Sequence, residues 1–280
     1  HHLSKSVEKF AKEVNEKSKG SIEVKVYPAG QLYNDQNMND ALMSGGLDIG
    51  LNSTARWSMV VPALKVLDLP FVLPTIEAAD NALDGDLGSK LTAEMEKKGV
   101  HPLIWADYGY VQFCNNAKKI EKPEDFKGLK IRTMEAPLIM STYSAWGANP
   151  VPVDFSELYS SLQQNVVDGQ ENPYLTISDM RFYEVQKYMT ISKHAYLSYV
   201  LTFSDAFLNG LPEDLEQIVM DCGKECVQYH RDQMAELNQG YYDNIAASGI
   251  AINTLTDEQR EAFKDCLLYT SPSPRDRTRS

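Results

Sequence analysis

An α/β fold is predicted from three observations along the sequence. Residues 4–19 repeat apolar side chains at helical spacing and are followed by Gly20, a natural helix stop. In residues 22–26, apolar Ile and Val alternate with Glu and Lys, which is typical of a half-buried strand. The exchange of helical and strand patterns continues to residue 105 and resumes at residue 129. Because such alternation favours parallel strands with right-handed crossovers, we expect parallel pairing in the first block.

The first block alternates predicted helices with predicted strands. Helices are expected at residues 4–19, 34–44 and 76–98, and strands at residues 22–26, 47–51 and 100–105. Gly45 and Gly46 interrupt the second helical pattern and so set its end.

The second block continues the alternation and leads into a long helix. Strands are expected at residues 129–133, 151–153, 188–192 and 196–203, and helices at residues 137–147 and 156–166. Residues 211–247 are largely helical in pattern, with Pro212 near the first turn. Since this length exceeds that of an ordinary globular helix, we expect the helix either to span two lobes or to kink near Gly223 or Gly240.

The composition is that of a globular protein and excludes several classes. The chain has 280 residues, of which 43% are hydrophobic and 24% are charged, so disordered, collagen-like and disulfide-stapled proteins are excluded. No apolar run approaches the about 18–20 residues that a membrane-spanning helix needs. The formal net charge of −12 argues against nucleic acid as the main partner, which would require a positive surface. If the ligand is an anion, a buried cation must select it.

Both ends of the chain have features that set them apart from a complete protein. Residues 266–280 resemble a reading frame through a transposon sequencing adapter, and we expect them not to belong to the protein; a genuine disordered tail is the alternative. Because this tail holds three Arg and one Asp, leaving it out changes the net charge from −12 to −14. The chain begins at His1 without Met or a signal peptide, so we expect an internal fragment that lacks its targeting sequence.

Motifs for catalysis, phosphate binding and metal binding are absent from the sequence. There is no G-x-x-x-x-G-K-[ST], no G-x-G-x-x-G and no H-E-x-x-H. Cys222 and Cys226 lie one helical turn apart, and we expect buried thiols rather than a metal site. Cys114 is expected to be a small core residue rather than a nucleophile. The sequence therefore favours a binding protein over an enzyme, with no catalytic residue, metal or cofactor.

Three residues between positions 127 and 174 are candidates for ligand binding. Arg132 ends a short apolar strand, and its planar guanidinium matches a carboxylate through two parallel hydrogen bonds; the alternative is a surface arginine in a weak ion pair. Asn172 precedes Pro173, a pattern that also fits a helix N-cap. Phe155 could equally belong to the core.

Several motifs occur in an order that resembles one known family. They are Tyr27-Pro-Ala-Gly-Gln-Leu, Pro123-Glu-Asp-Phe-Lys-Gly-Leu-Lys-Ile-Arg132, Gly147-Ala-Asn-Pro and Asp168-Gly-Gln-Glu-Asn-Pro173. The chain before Cys266 is similar throughout to the extracytoplasmic solute-binding proteins of tripartite ATP-independent periplasmic (TRAP) transporters, of the dicarboxylate-binding (DctP) type.

The resemblance implies a two-lobed α/β fold of the periplasmic-binding-protein (Venus flytrap) type, with a cleft, crossing strands and a long lobe-spanning helix. Lobe I would hold residues 1–110 and 198–238. Lobe II would hold residues 111–197 and 239–265, without its final helices because of the truncation.

The resemblance also implies roles for individual residues. Arg132 would pair with the substrate carboxylate, Asn172 would hydrogen-bond the same end, and Phe155 would pack on the ligand. Residues 52–57 would close over the other end of the substrate through Ser53, Arg56 and Trp57. Tyr108, Tyr110 and Tyr196 would lie near the pocket wall.

Two departures from the family pattern bear on the substrate. Where many members have a second arginine in a Gly-Phe-Arg-type segment, this chain has Val111. Glu135 lies three residues after Arg132 and either contributes to the pocket or pairs with that arginine. One cationic anchor with a nearby carboxylate fits a monocarboxylate bearing hydroxyls or an amine better than a dicarboxylate.

The function expected from the resemblance is capture of a small carboxylate-bearing solute. The lobes would close around the ligand by a hinge motion, and the protein would hand it to the membrane subunits of a TRAP transporter. A monomer in the periplasm or another extracytoplasmic location is expected. A sugar-acid-converting enzyme with Glu135 as base, or a ligand sensor on the same fold, is the alternative.

Overall fold

The computed structural model describes residues 2–270. Its α-helices are α1 His2–Lys17, α2 Met38–Met43, α3 Thr54–Trp57, α4 Ile76–Leu83, α5 Asp86–Glu96, α6 Pro137–Ala145, α7 Leu158–Gln163, α8 Tyr174–Asp179, α9 Asp205–Leu208, α10 Glu213–Ala247 and α11 Asp257–Thr270. Its strands are β1 Ile49–Ser53, β2 Val100–Tyr110, β3 Gln112–Asn115, β4 Lys130–Thr133, β5 Asn149–Pro152, β6 Gly169–Asn172, β7 Tyr188–Ile191, β8 Tyr196–Ser204 and β9 Ala251–Thr254. None of the helices in this range is long and apolar enough to cross a membrane.

The chain divides into two compact units, each built from separate stretches of sequence. The first unit contains the chain up to Leu67, then Leu73–Gly109 and Leu197–Tyr241; the second contains Asp68–Val72, Tyr110–Tyr196 and the chain from Tyr242. Helix α10 therefore supplies residues to both units. The excursion of Asp68–Val72 into the second unit has no counterpart in the division expected from the sequence.

The sheet of the first unit has the strand order β1-β8-β2. Strands β1 and β8 pair antiparallel, with Gly50 opposite Thr202, so the expectation of parallel pairing in the first block is wrong for this pair. The physical reason is that the neighbour of β1 arrives from about 150 positions later in the chain, not from the next βα unit. Phe10 and Val14 of α1 pack with Phe203 in the core that covers this sheet.

Two local predictions for the first unit are corrected by the structure. No strand forms over residues 22–26, although Ile22 and Val24 pack on the core as the alternation requires; the backbone N–H of Val24 is satisfied by Asn15 Oδ1 at 2.7 Å instead of by a neighbouring strand. The helix expected at residues 76–98 is two helices, α4 and α5, which meet at Gly85.

The sheet of the second unit has the strand order β5-β4-β6-β3-β7-β9. Strand β4 pairs parallel with both β5 and β6, whereas β3 pairs antiparallel with β6 and β7. Two apolar clusters cover the sheet, one rich in aromatic residues around Phe113 and Trp146 and one around Leu158 and Phe182. Because three neighbouring strands run in the same direction, the carboxyl ends of β5, β4 and β6 lie at one edge.

The last described helix runs into the segment that the sequence sets apart. Helix α11 continues to Thr270, and Cys266 and Leu267 pack against the aromatic cluster of the second unit. Residues 271–280 lie outside the described part of the chain. That residues 266–280 do not belong to the protein stays a prediction.

Candidate functional site

Arg132 lies at the carboxyl edge of the parallel strands in the second unit. It is the third residue of β4, and only 2% of its surface is exposed, so the alternative of a surface arginine is wrong. Its Nε donates a hydrogen bond of 2.9 Å to the carbonyl of Val153, just beyond β5. Its Cζ lies 5.9 Å from the centre of the Phe155 ring, within the range of a cation–π contact. The backbone carbonyl and the ring together hold the guanidinium in one orientation.

Phe155 connects this arginine to the apolar interior. It begins a short 3₁₀ turn, Phe155–Glu157, which is capped by Asp154 accepting from the backbone N–H of Ser156 at 2.8 Å. Its ring is half-buried and packs edge-to-face on Phe182 with ring centres 6.3 Å apart. The side chain thus has one side in the core and another toward Arg132.

Asn172 is the last residue of β6, the strand next to Arg132. Because Arg132 is level with Gln170 in the parallel pair, Asn172 lies two residues further toward the carboxyl edge. Its side chain is 5% exposed, and its Nδ2 donates to Gln170 Oε1 at 2.5 Å. The alternative of a helix N-cap at Asn172 is wrong, because the N-cap position of α8 is Pro173, where no side-chain capping hydrogen bond forms.

Glu135 and Val111, which the sequence singled out for their bearing on the substrate, differ in exposure. Glu135 is exposed in the connection between β4 and α6. Val111 is buried, and its backbone N–H donates to the carbonyl of Ala195 at 3.0 Å. The position to which the resemblance assigns a second arginine therefore holds a buried apolar side chain.

The candidate residues Ser53, Arg56 and Trp57 are buried in the first unit, where Ser53 and Arg56 make hydrogen bonds. Ser53 ends β1, and its hydroxyl accepts from the backbone N–H of Arg56 at 3.2 Å, which caps α3. Arg56 is 7% exposed; its Nε and Nη2 donate to the carbonyls of Asp35 and Gln36 at 3.2 and 3.4 Å. Trp57 is fully buried. These contacts give the segment a fixed shape.

The three candidate tyrosines belong to two aromatic pairs. Tyr108 packs against Tyr199 within the first unit, with ring centres 4.5 Å apart. Tyr110 and Tyr196 meet edge-to-face at 5.5 Å within the second unit. Of the candidate residues, Arg132, Phe155 and Asn172 lie together at one edge of the sheet in the second unit. The others lie within their own units, with the exposure and contacts given above.

A buried polar network next to this edge was missed from the sequence. Glu171 Oε2 lies 2.7 Å from His194 Nε2 and accepts from the Tyr143 hydroxyl at 2.9 Å, while His194 Nδ1 lies 2.7 Å from Ser192 Oγ. The His194 ring stacks on Phe113 at 4.2 Å. Since side chains alternate along a strand, Glu171 points away from the face of its neighbours on β6, and that alternation was the available signal.

The environment of this network is apolar, and it suppresses ionisation of its phenol. Burial, together with the carboxylate of Glu171, raises the pKa of Tyr143 well above its ordinary value, so its hydroxyl stays a donor. The described residues contain no group of three or more His, Cys, Asp or Glu that could hold a metal ion.

Three of the four cysteines are buried, and burial raises the pKa of their thiols. Cys114, Cys222 and Cys226 are buried free cysteines. Burial raises the pKa of Cys226 to about 12 and that of Cys114 further. Because the thiolate is the nucleophile, this environment argues against catalysis by Cys114.

Comparison with known proteins decides the family. The model of the bacterial extracellular solute-binding protein family 7, DctP, matches residues 1–268. The chain belongs to the DctP family. The family consists of non-enzymatic solute-binding proteins, so the alternative of a sugar-acid-converting enzyme is not supported, and the location is extracytoplasmic.

The DctP fold is matched over nearly the whole chain by solved structures. A TRAP periplasmic solute-binding protein from Sulfurospirillum deleyianum with bound succinate is 37% identical, with a TM-score of 0.91 over 96% of this chain and 88% of that one. One from Sulfitobacter with bound β-D-galacturonate is 30% identical, with a TM-score of 0.92 over 96% and 89%. The two-lobed α/β fold that the sequence predicted for this chain is thereby confirmed.

The name of another relative in the DctP family includes a further solute. The 2,3-diketo-L-gulonate-binding periplasmic protein YiaO of Escherichia coli is 31% identical over 262 residues, which are 94% of this chain and 79% of that protein.

Proposed function

We propose that this protein captures a small organic acid by its carboxylate, with Arg132 as the anchor, and delivers it to the membrane subunits of a TRAP transporter. The observation that carries the proposal is the position of Arg132, buried to 2% exposure at the carboxyl edge of three parallel strands. Succinate, galacturonate and 2,3-diketo-L-gulonate, named for its relatives, all bear a carboxylate.

The chemistry of a buried guanidinium supports this role. Nε is engaged by the carbonyl of Val153, which fixes the plane of the group. A guanidinium so fixed meets a carboxylate as a planar fork, and exclusion of water strengthens the charge-assisted pair. Capture by closure of the two units stays a prediction that follows from the family.

The substrate class is narrowed by the residue at position 111. Val111 is buried and apolar, so this position offers no second cation for a dicarboxylate. Exposed Glu135 adds negative charge after β4. We propose a monocarboxylate with hydroxyl groups, such as a sugar acid, as the preferred ligand.

The test is a thermal-shift screen followed by calorimetry. D-galacturonate, D-galactonate and succinate are compared with D-galactose, which matches galacturonate without the carboxylate. We expect a sugar acid to raise Tm most and galactose to have no effect. In Arg132→Ala the affinity should fall by about 2–5 kcal/mol, roughly 30- to 5,000-fold in Kd.

A surface arginine of the same unit provides the control. Arg181 is exposed and pairs with Glu184, so Arg181→Ala should leave Kd unchanged. Arg132→Lys keeps the charge but loses the fork, and should recover only part of the affinity. Unchanged Kd in Arg132→Ala would overturn the assignment of the anchor. Sedimentation velocity of the wild type tests the proposed monomer.

A further inference from the structure

Gln170 has a buried side-chain amide at the sheet edge that carries Arg132 and Asn172, and the proposed function assigns it no role. It is 1% exposed on β6, level with Arg132 on parallel β4 and with Cys114 on antiparallel β3. An amide in such a place is unfavourable unless its polar atoms are hydrogen-bonded. Its arrangement of hydrogen bonds therefore needs an explanation.

The two polar atoms of Gln170 have different surroundings. Oε1 accepts from Asn172 Nδ2 at 2.5 Å, across the i to i+2 spacing that puts both side chains on one face of the strand. Nε2 is buried and makes no conventional hydrogen bond within residues 2–270. Its register partner Cys114 offers a thiol, a weak hydrogen-bonding group, which burial keeps protonated. The strong hydrogen bond of Gln170 is thus the one to Asn172.

That hydrogen bond has a consequence for the second N–H of Asn172. An amide NH₂ carries two hydrogens in one plane, so using one of them fixes the direction of the other. An amide free to turn could present its oxygen to the site instead, and that oxygen repels a carboxylate. A fixed amide presents a donor without loss of further side-chain freedom on binding.

We propose that Gln170 is a positioning residue for ligand binding, which acts by holding the amide of Asn172 as a donor for the ligand carboxylate. This inference rests on the proposed function, because it requires the carboxylate to bind beside Arg132. It adds a specificity-determining residue that does not itself touch the ligand.

A double-mutant cycle tests whether Gln170 acts through Asn172. Gln170→Met removes the acceptor at nearly equal side-chain length. Calorimetry with D-galacturonate and with succinate is run on wild type, Gln170→Met, Asn172→Ala and the double variant. We expect Gln170→Met to weaken binding about 3- to 10-fold, the effect of one hydrogen bond, and to have less than about a 2-fold effect in the Asn172→Ala background.

Two further measurements separate positioning from a structural role. Gln186 is another buried amide of the second unit, 4% exposed, and Gln186→Met should lower Tm while leaving Kd unchanged. The ¹⁵N order parameter of the Asn172 side-chain amide should fall in Gln170→Met, since the amide is released. Gln170→Leu provides a second variant if the methionine variant does not fold.

The outcomes distinguish this inference from the proposed function. An equal loss of affinity in both backgrounds, or no loss in the wild-type background, overturns the positioning role of Gln170 and leaves the anchor Arg132 in place. Binding that Arg132→Ala leaves intact, or no binding of either acid by the wild type, overturns the proposed function and this inference with it.

Discussion

Replacement of Gly223 by alanine should destabilise the protein, although alanine is the better helix former. Gly223 lies inside α10, where it passes over the sheet of the first unit. A Cβ at this position would lie 2.0 Å from Leu103 Cδ2 and 3.5 Å from Leu201 Cδ2. Gly240, in the same helix, would place its Cβ with nothing within 4 Å.

The two glycines therefore separate packing from helix propensity. Alanine gains about 1 kcal/mol over glycine in an open helix position, and we expect this gain at Gly240. At Gly223 the Leu103 methyl must move by well over 1 Å to reach ordinary contact. Because Leu103 packs on the core of the first unit and Leu201 Cδ2 also lies at 3.5 Å, we expect this overpacking to cost about 1–3 kcal/mol. The net effect of Gly223→Ala should be a loss of about 1 kcal/mol in the free energy of unfolding.

Urea unfolding followed by far-UV circular dichroism measures both variants. We expect a lower midpoint for Gly223→Ala and a higher one for Gly240→Ala, with the m value unchanged. Leu103→Ala removes the obstructing methyl, so Gly223→Ala should be stabilising in that background. Equal stabilisation by both alanine substitutions in the wild-type background would refute the reasoning.

Two other consequences of burial can be measured. At pH 8, the thiols of Cys114 and Cys226 should react with Ellman's reagent only on unfolding. The pKa of Cys226 is raised to about 12 in the folded protein, whereas unfolded thiols ionise near pH 8.5. The free energy of unfolding should therefore fall as pH rises above about 8.5. Cys266 is only partly buried and can react in the native protein, so the labelled residues are identified by peptide mass mapping; rapid labelling of Cys114 or Cys226 before unfolding would contradict their expected protection. His194→Ala should lower the free energy of unfolding in urea by about 3 kcal/mol or more, because the buried carboxylate of Glu171 loses a partner at 2.7 Å. Glu171→Gln in that background should restore part of the lost stability. A loss below about 1 kcal/mol in His194→Ala would show that the pair contributes little to stability.

The parts of the fold that the sequence predicted well are those with local signals. Strand β4 and the start of α6 follow from a short apolar run and from Pro137 at a helix start. The position of Arg132 at a strand end was visible for the same reason. The burial of Arg132 and its contacts with Val153 and Phe155 depend on neighbouring strands, so the local sequence pattern could not predict them.

The failures arose where distant segments meet. The alternation at residues 22–26 reports a half-buried face, which an extended segment satisfies without a partner strand. The antiparallel pairing of β1 depends on β8, which no pattern near β1 announces. His194 and Glu171 are both ordinary polar residues in sequence, and only the register of the sheet and the aromatic surroundings make them a buried pair.

The pairing of Gly50 with Thr202 also constrains the order in which the chain can fold. Strand β1 has no partner until about 150 further residues have been synthesised, and closing so long a loop is slow. The continuous stretch Tyr110–Tyr196 of the second unit is complete when only the first residue of β8 has been synthesised. A growing chain that ends before residue 196 therefore carries an unfinished first unit, in which Phe10 and Val14 of α1 still lack Phe203 and the α10 residues of their core.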